Sequence, residues 1–231
     1  MPSAKTGRPS RRCPSAEASG RPAIRSPAAV LLFLAAAALG LAADLLSKHY
    51  VFGSLLNSPA LRRQLEGLRA EAPGLSPEDV LHDAAIRPYV QRDVFPGVRL
   101  TLSTNPGVVF GLPVPRTLVA AATVAAFVLI GFLFATSDSG LRSVHLALAF
   151  ILAGAIGNLY DRLLGQVVLP GVGSIRHQVR DFIDCRQLYY PWVFNVADIL
   201  LVVGVALLML HWWLARRSRT TKPQSAKTHP R

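Results

Sequence analysis

Four runs of apolar residues dominate the chain, and each is close to the roughly 20 residues a helix needs to cross a bilayer. The first covers 28–46 and reads AAVLLFLAAAALGLAADLL; the others cover about 114–135, 143–163 and 192–214. Between the first two lies a long polar segment, about 50–104. Within it, Leu55, Leu61, Leu65 and Leu68 alternate with Arg62, Arg63 and Arg69 at helical spacing. That pattern predicts an amphipathic helix, either lying on the membrane surface or forming a small insert on a loop. Ser76-Pro77-Glu78-Asp79 predicts a second helix start, with Ser as N-cap and Pro at the first helical position. The stretch VRLTLST changes the period to two: Val98, Leu100 and Leu102 on one face, Arg99, Thr101 and Ser103 on the other, as in a short strand. Asn105-Pro106-Gly107 then reads as a turn. The pattern therefore predicts an all-α membrane protein: four transmembrane helices, a small extracytoplasmic β element and a surface helical insert.

Charge orients this scheme. Of 231 residues 51% are hydrophobic and only 16% charged, yet the net charge is +12. The excess sits in the tails, 1–27 (Arg8, Arg11, Arg12) and 215–231 (Arg216, Arg217, Arg219). Basic flanks hold membrane ends in the cytoplasm, so four spans place both termini there, around a membrane domain over 28–214. The first tail is Pro/Ser/Arg-rich and reads as disordered. A cleaved signal peptide would also begin with a basic region and an apolar run. Here the run is long and continues into Asp44 and Lys48, so it reads as a retained helix. No aromatic-rich basic fold accompanies the charge, which excludes nucleic acid as a partner. The 2 cysteines, Cys13 and Cys185, fall on opposite sides of the membrane and cannot pair; Cys185 reads as packing or as a reactive thiol.

This topology gathers the unusual polar residues at one interface. Asp44 and Lys48 end the first helix on the outer side, and Asn105 lies in the outer loop. Asn158, Asp161 and Arg162 end the third helix, Asp181 follows, and Asn195 and Asp198 open the fourth. Ionisable groups in membrane helices are costly and usually functional. Spacings of three and four put Asn158, Asp161 and Arg162 on one helix face, Asn195 and Asp198 on a second, and Asp44 and Lys48 on a third. Arg162 can pair an acid, and the Asn side chains can orient acids. Asp181 and Asp198 remain as a candidate pair in which one carboxylate activates water and the other, protonated, donates to the reacting carbonyl. The competing reading makes the acids structural, pairing Asp161 with Arg162 and Asp181 with Arg180. The chain lacks His-Glu-x-x-His, which counts against a zinc peptidase. Gly173-Ser174 with His177 lacks a positioned third member for serine chemistry. Small residues four apart, Ala153 and Gly157, predict close helix packing.

Four blocks in order, Asn105-Pro106-Gly107-Val108-Val109-Phe110-Gly111, Gly154 to Arg162 (GAIGNLYDR), Asp181-Phe182-Ile183 and Phe194-Asn195-Val196-Ala197-Asp198, resemble the signatures of lipoprotein signal peptidase, or signal peptidase II. Asp44 and Lys48 match its first-helix pair. The resemblance covers most of 28–214 and implies an aspartic endopeptidase of the bacterial inner membrane, without metal or cofactor. It would cut the signal peptide from a prolipoprotein before the diacylglyceryl-modified Cys, on the extracytoplasmic side, working as a monomer among membrane lipids. Asp181 and Asp198 would be the catalytic dyad. Asp44, Lys48, Asn105, Gly154, Asn158, Arg162 and Asn195 would shape or support the site. The chain departs from the family at Val108 and Val109, where small residues are usual, and at Pro106, which stiffens the turn. Arg180 stands where an apolar residue is usual and is expected to depress the Asp181 pKa. A longer stretch at about 168–179 leaves Asp184 as the alternative partner of Asp198. The inserts about 54–93 and 168–179 have no role in the resemblance. Two other functions fit the residues: a proton-coupled transporter or channel relaying through buried acids, and an inactive scaffold that only binds lipidated peptides.

Overall fold

A computed structural model of the chain describes residues 20–107 and 115–220. Both basic tails beyond these limits, Cys13, and the Val108 to Gly111 part of the first signature block lie outside the described residues. Among the described residues six α-helices carry the fold: α1 (Pro27–Leu56), α2 (Pro59–Glu71), α3 (Pro77–His82), α4 (Arg116–Thr136), α5 (Arg142–Leu164) and α6 (Val196–Thr220). Four of them, α1, α4, α5 and α6, are long and apolar enough to cross a membrane. The chain is a multi-pass membrane protein, helical in its spans and with a minor β part.

Small residues set the packing of the bundle. Without a hydrophobic drive between helices in lipid, close backbone approach and van der Waals contact hold them together. A Cβ on Gly154 would lie 2.4 Å from the Ala197 carbonyl oxygen of α6, and one on Gly204 would lie 2.7 Å from the Ala147 oxygen of α5. On the α1 side, a Cβ on Gly40 would meet that of Ala153 at 3.0 Å. The expected Ala153/Gly157 seam is therefore present, and α5 is the helix that both α1 and α6 press against. At one end of the bundle, Phe33 and Phe134 stack with ring centroids 4.3 Å apart, beside Ile130, Leu148 and Ala149.

Helix α1 is longer than the hydropathy pattern predicts. Its 30 residues span about 45 Å at 1.5 Å each, against a hydrocarbon core about 30 Å thick. The last turns leave the bundle, and Val51, Phe52 and Leu55 bury in a second core. Into the same core α2 sends Leu61 and Leu65, and α3 sends Val80 and Leu81. The apolar residues Leu61 and Leu65 of α2 are thus covered by protein.

Strands β1 (Gln91–Phe95), β2 (Val98–Asn105), β5 (Val179–Asp184) and β6 (Val193–Phe194) form an antiparallel sheet in the order β1-β2-β5-β6. The alternation expected in β2 breaks. Arg99 and Leu100 face Asp184 and Ile183, and then Ser103 faces Asp181. Two residues, Thr101 and Leu102, oppose the single Phe182, and both are buried. This bulge turns the end of β2 so that Ser103 and Asn105 share the face of Asp181. The stretch about 168–179, expected as a loop, falls largely in a hairpin of β3 (Gln166–Leu169) and β4 (Gly173–Arg176). Val167, Leu169 and Ile175 anchor the hairpin in the second core. The His177 N–H donates to the Gly165 oxygen at 3.0 Å, closing its base. The extra residues leave and return at one point, so β5 keeps its place.

Two boundaries differ from the hydropathy reading. Val193 and Phe194 pair with β5 rather than opening the last helix, which begins at Val196. The first tail is not wholly irregular: Pro22 bridges Asp138, and the Ala23 N–H donates to Ser137 at 2.8 Å.

Candidate active site

The first turn of α6 is a reciprocal cap. Asn195 is the N-cap and accepts the Asp198 N–H on Oδ1 at 3.2 Å, while Asp198 accepts the Asn195 N–H on Oδ2 at 3.1 Å. This is a capping box with Asp in the acidic position. A third helix-end N–H, that of Ala197, donates to Oδ1 of Asp44 on α1 at 2.9 Å. The same contacts that begin the helix therefore fix the carboxylate of Asp198 and lock α1 to α6.

Two asparagines connect the acids. Asn158 on α5 donates from Nδ2 to Oδ1 of Asp198 at 2.8 Å. Asn195 donates from Nδ2 to Oδ1 of Asp181 at 2.6 Å and to Oδ1 of Asn158 at 3.2 Å. Asp181 and Asp198 thus belong to one hydrogen-bonded set, with Asn195 touching both. Burial, and after it the charge of Asp198, pushes the Asp181 carboxyl up to about 7, against the opposing influence of Asn195, Lys48 and Asn105. Asn105 reaches this face because of the bulge, and its Oδ1 also accepts the Gly107 N–H at 2.9 Å, shaping the turn.

Behind the acids lies a buried ion network. Lys48 is fully enclosed; it donates to Oδ2 of Asp44 at 2.7 Å and to Oδ1 of Asn158 at 3.2 Å, and forms an ion pair with Oδ2 of Asp161 at 3.0 Å. Two carboxylates and one amide oxygen surround the ammonium, as a charge removed from water requires. Asp161 also receives Arg180, through Nε at 2.8 Å and a second guanidinium nitrogen at 2.7 Å, both on Oδ1. Arg162 donates to the carbonyl oxygens of Asn158 at 3.2 Å and Gly107 at 3.0 Å, tying the turn after β2 to α5. Gly157 leaves room for Asp44, since a Cβ there would lie within 2.3 Å of its carboxylate.

The structural pairings weighed from sequence do not form. Arg180 and Asp181 are neighbours on a strand and face opposite sides, so Arg180 meets Asp161, and Asp181 is raised rather than depressed. Arg162 meets carbonyls, not Asp161. Asp184 is held by Arg186 in three contacts, two from the guanidinium at 2.9 and 2.6 Å and one from the backbone N–H at 2.9 Å, and Arg186 keeps it below the usual carboxylate range. Three members of the site had been given no role in it: Asp161, grouped only by face and weighed as a partner of Arg162, Gly157, read as helix packing, and the Ala197 N–H. The spacing of Asp161 with Asn158 and Arg162 was the available signal. An apolar groove of about 320 Å³ begins at Asp198 and runs along α6 past Ile199 and Val202, with Phe194, Tyr190 and Cys185 on its other wall.

Fold and site together define a multi-span membrane protein whose polar centre is built on carboxylates at one end of the bundle. A family model described as signal peptidase (SPase) II, peptidase A8, matches residues 36–214. Lipoprotein signal peptidase of Aquifex aeolicus (strain VF5) is 38% identical over 132 residues, covering 54% of this chain and 71% of its own. That of Sulfurihydrogenibium sp. (strain YO3AOP1) is 34% identical over 152 residues, covering 61% and 82%. A bacterial membrane enzyme solved in meso at 2.3 Å shares the fold with a TM-score of 0.54 at 19% identity, covering 90% of this chain and 99% of that one. The chain belongs to the signal peptidase II family and is an aspartic endopeptidase of the membrane.

Proposed function

We propose that Asp181 and Asp198 are the catalytic dyad and that the enzyme removes the signal peptide from lipid-modified prolipoproteins by cutting before the diacylglyceryl-modified Cys. The observation that carries this reading is the hydrogen-bonded set in which Asn195 holds Asp181 while its own backbone N–H and the Asn158 side chain hold Asp198. Asp198 receives donors on both oxygens, which suits the ionised form and the task of drawing a proton from water. Asp181, with its pKa near 7, carries the proton that polarises the scissile carbonyl and later protonates the leaving amine. Asp44, Lys48, Asn158 and Asn195 hold the two acids in place, Gly154 admits α6 close to α5, and Arg162 and Asn105 shape the turn beside them.

The groove along α6 suits an apolar substrate arm lying in the bilayer. The basic tails place both termini in the cytoplasm, and with four spans the site then lies at the extracytoplasmic face of the inner membrane. In this reading the enzyme works as a monomer. A proton relay would distribute ionisable groups through the depth of the bundle. Here the buried acids collect at one end, and helix α5 carries no ionisable group from Leu146 to Leu159.

Asp181→Asn and Asp198→Asn are each expected to lower cleavage of a lipidated precursor by roughly 10³-fold, the size of a general acid or base contribution, while membrane insertion is unchanged. Near-normal turnover by both variants removes the dyad. Since the proton on Asp181 is present below its pKa and lost above it, activity falls as pH rises through about 7.

A further inference from the structure

The residue directly before Asp181 is tied to α5 more heavily than packing requires. The Arg180 guanidinium grips Oδ1 of Asp161, and the Arg180 backbone N–H donates to Oδ2 of the same carboxylate at 3.2 Å. Oδ2 also takes Lys48. Two anions, Asp44 and Asp161, are thereby matched by two cations, Lys48 and Arg180. Asp44, Lys48 and Asp161 are fully buried, and the Arg180 side chain is 13% exposed. Without Arg180 a single ammonium would face two carboxylates out of water, a costly arrangement.

We propose that Arg180 is a positioning residue for the dyad: paired with Asp161, it registers the strand bearing Asp181 against α5 and completes the charge balance of the network behind it. The proposal rests on the dyad reading above. Charged groups reach Asp181 from each side: Asp198 from α6, Lys48 from α1 and Arg162 from α5. Asp161 and Arg180 stand one ion pair behind Lys48. Removing either one unbalances the set with opposite sign. Loss of the Arg180 cation leaves net negative charge, so Asp181 keeps its proton to higher pH. Loss of the Asp161 anion leaves net positive charge, so Asp181 releases it at lower pH.

The test is the alkaline limb of the pH profile for cleavage of a synthetic lipidated peptide by the full chain in detergent. Arg180→Met is expected to move that limb up by about half a pH unit, Asp161→Asn to move it down by about as much, and Arg180→Lys to leave it in place. A merely structural role would lower the rate in all three and move no limb. Unmoved limbs in the first two, or limbs moving the same way, overturn the proposal. If Arg180→Met does not assemble, Asp161→Asn against Arg180→Lys decides the matter alone. Asp181→Asn separates the two levels. If it retains activity, the dyad falls and takes this proposal with it. If it is inactive while the limbs stay fixed, the dyad stands and only the role of Arg180 falls.

Discussion

The two ends of the bundle use the same helices for opposite purposes. At the far end, α1, α4 and α5 meet through Phe33, Phe134, Ile130 and Leu148, side chains that only need to fit. At the site end, α1, α5 and α6 meet through Asp44, Lys48, Asn158, Asp161 and Asn195, all buried and all hydrogen-bonded. Apolar packing in lipid tolerates small errors, because the alternative contact is another hydrocarbon. A buried charge has no such alternative, since every donor and acceptor must find its partner within the protein. The comparison shows why the end proposed to be functional is the geometrically determined one. The partners that neutralise Lys48 and start α6 are also those that aim the acids.

The strongest way to break this contrast is Lys48→Met. The side chains are similar in size, but two enclosed carboxylates lose their shared cation and Asn158 loses a donor. Removing one partner of a buried ion pair costs about 3–5 kcal/mol. The variant is expected to show a large loss of thermal stability in detergent and little cleavage. A melting temperature equal to the parent's would show that the network does not hold the helices.

Much of this end was legible in the sequence, because helical spacing reports which residues share a face. Asp44 with Lys48, Asn158 with Arg162 and Asn195 with Asp198 could be grouped before any contact was known. What spacing cannot give is the partner across elements. Asp161 was on the right face, yet its pairing with Arg180 depends on β5 lying beside α5. Strand neighbours point to opposite faces, so Arg180 and Asp181 diverge wherever that stretch is extended. The bulge in β2 and the early end of β6 were hidden for a different reason. Both depend on strand pairing, which an apolar run such as that after Trp192 does not reveal. The hairpin β3–β4 buries its residues against α2 and α3, two segments apart in sequence, so it looked like a loop.

A smaller perturbation separates shape from charge. In Gly154→Ala the new methyl would stand 2.4 Å from the Ala197 oxygen and 2.8 Å from Leu201 Cγ, so α6 must shift beside Asp198. Overpacking of this kind costs about 1–3 kcal/mol, and a displacement near 1 Å at reacting groups can cost about 10²-fold in rate. Gly204→Ala is the matched control. Its methyl would meet Ile151 Cγ1 at 2.6 Å on the same seam, farther from the acids. Both variants are expected to lose similar stability, but Gly154→Ala is expected to lose at least about tenfold more activity. Equal activities would mean that the seam transmits any displacement along its whole length.

The smallest expected effect lies at the far end. His145 is fully buried, with Nε2 3.0 Å from Ser137 Oγ and its ring edge-on to Phe134, while Nδ1 has no hydrogen-bond partner among the described residues. His145→Leu removes that orphaned nitrogen, worth about 1–3 kcal/mol, and gives up one hydrogen bond of about 1 kcal/mol. The two oppose each other, so stability is expected to change by no more than about 2 kcal/mol and cleavage by no more than about twofold. Thermal melts and turnover on the same preparation check both. A tenfold loss of cleavage at unchanged stability would mean that the far end acts on the acids, and the division of labour between the two ends would fail.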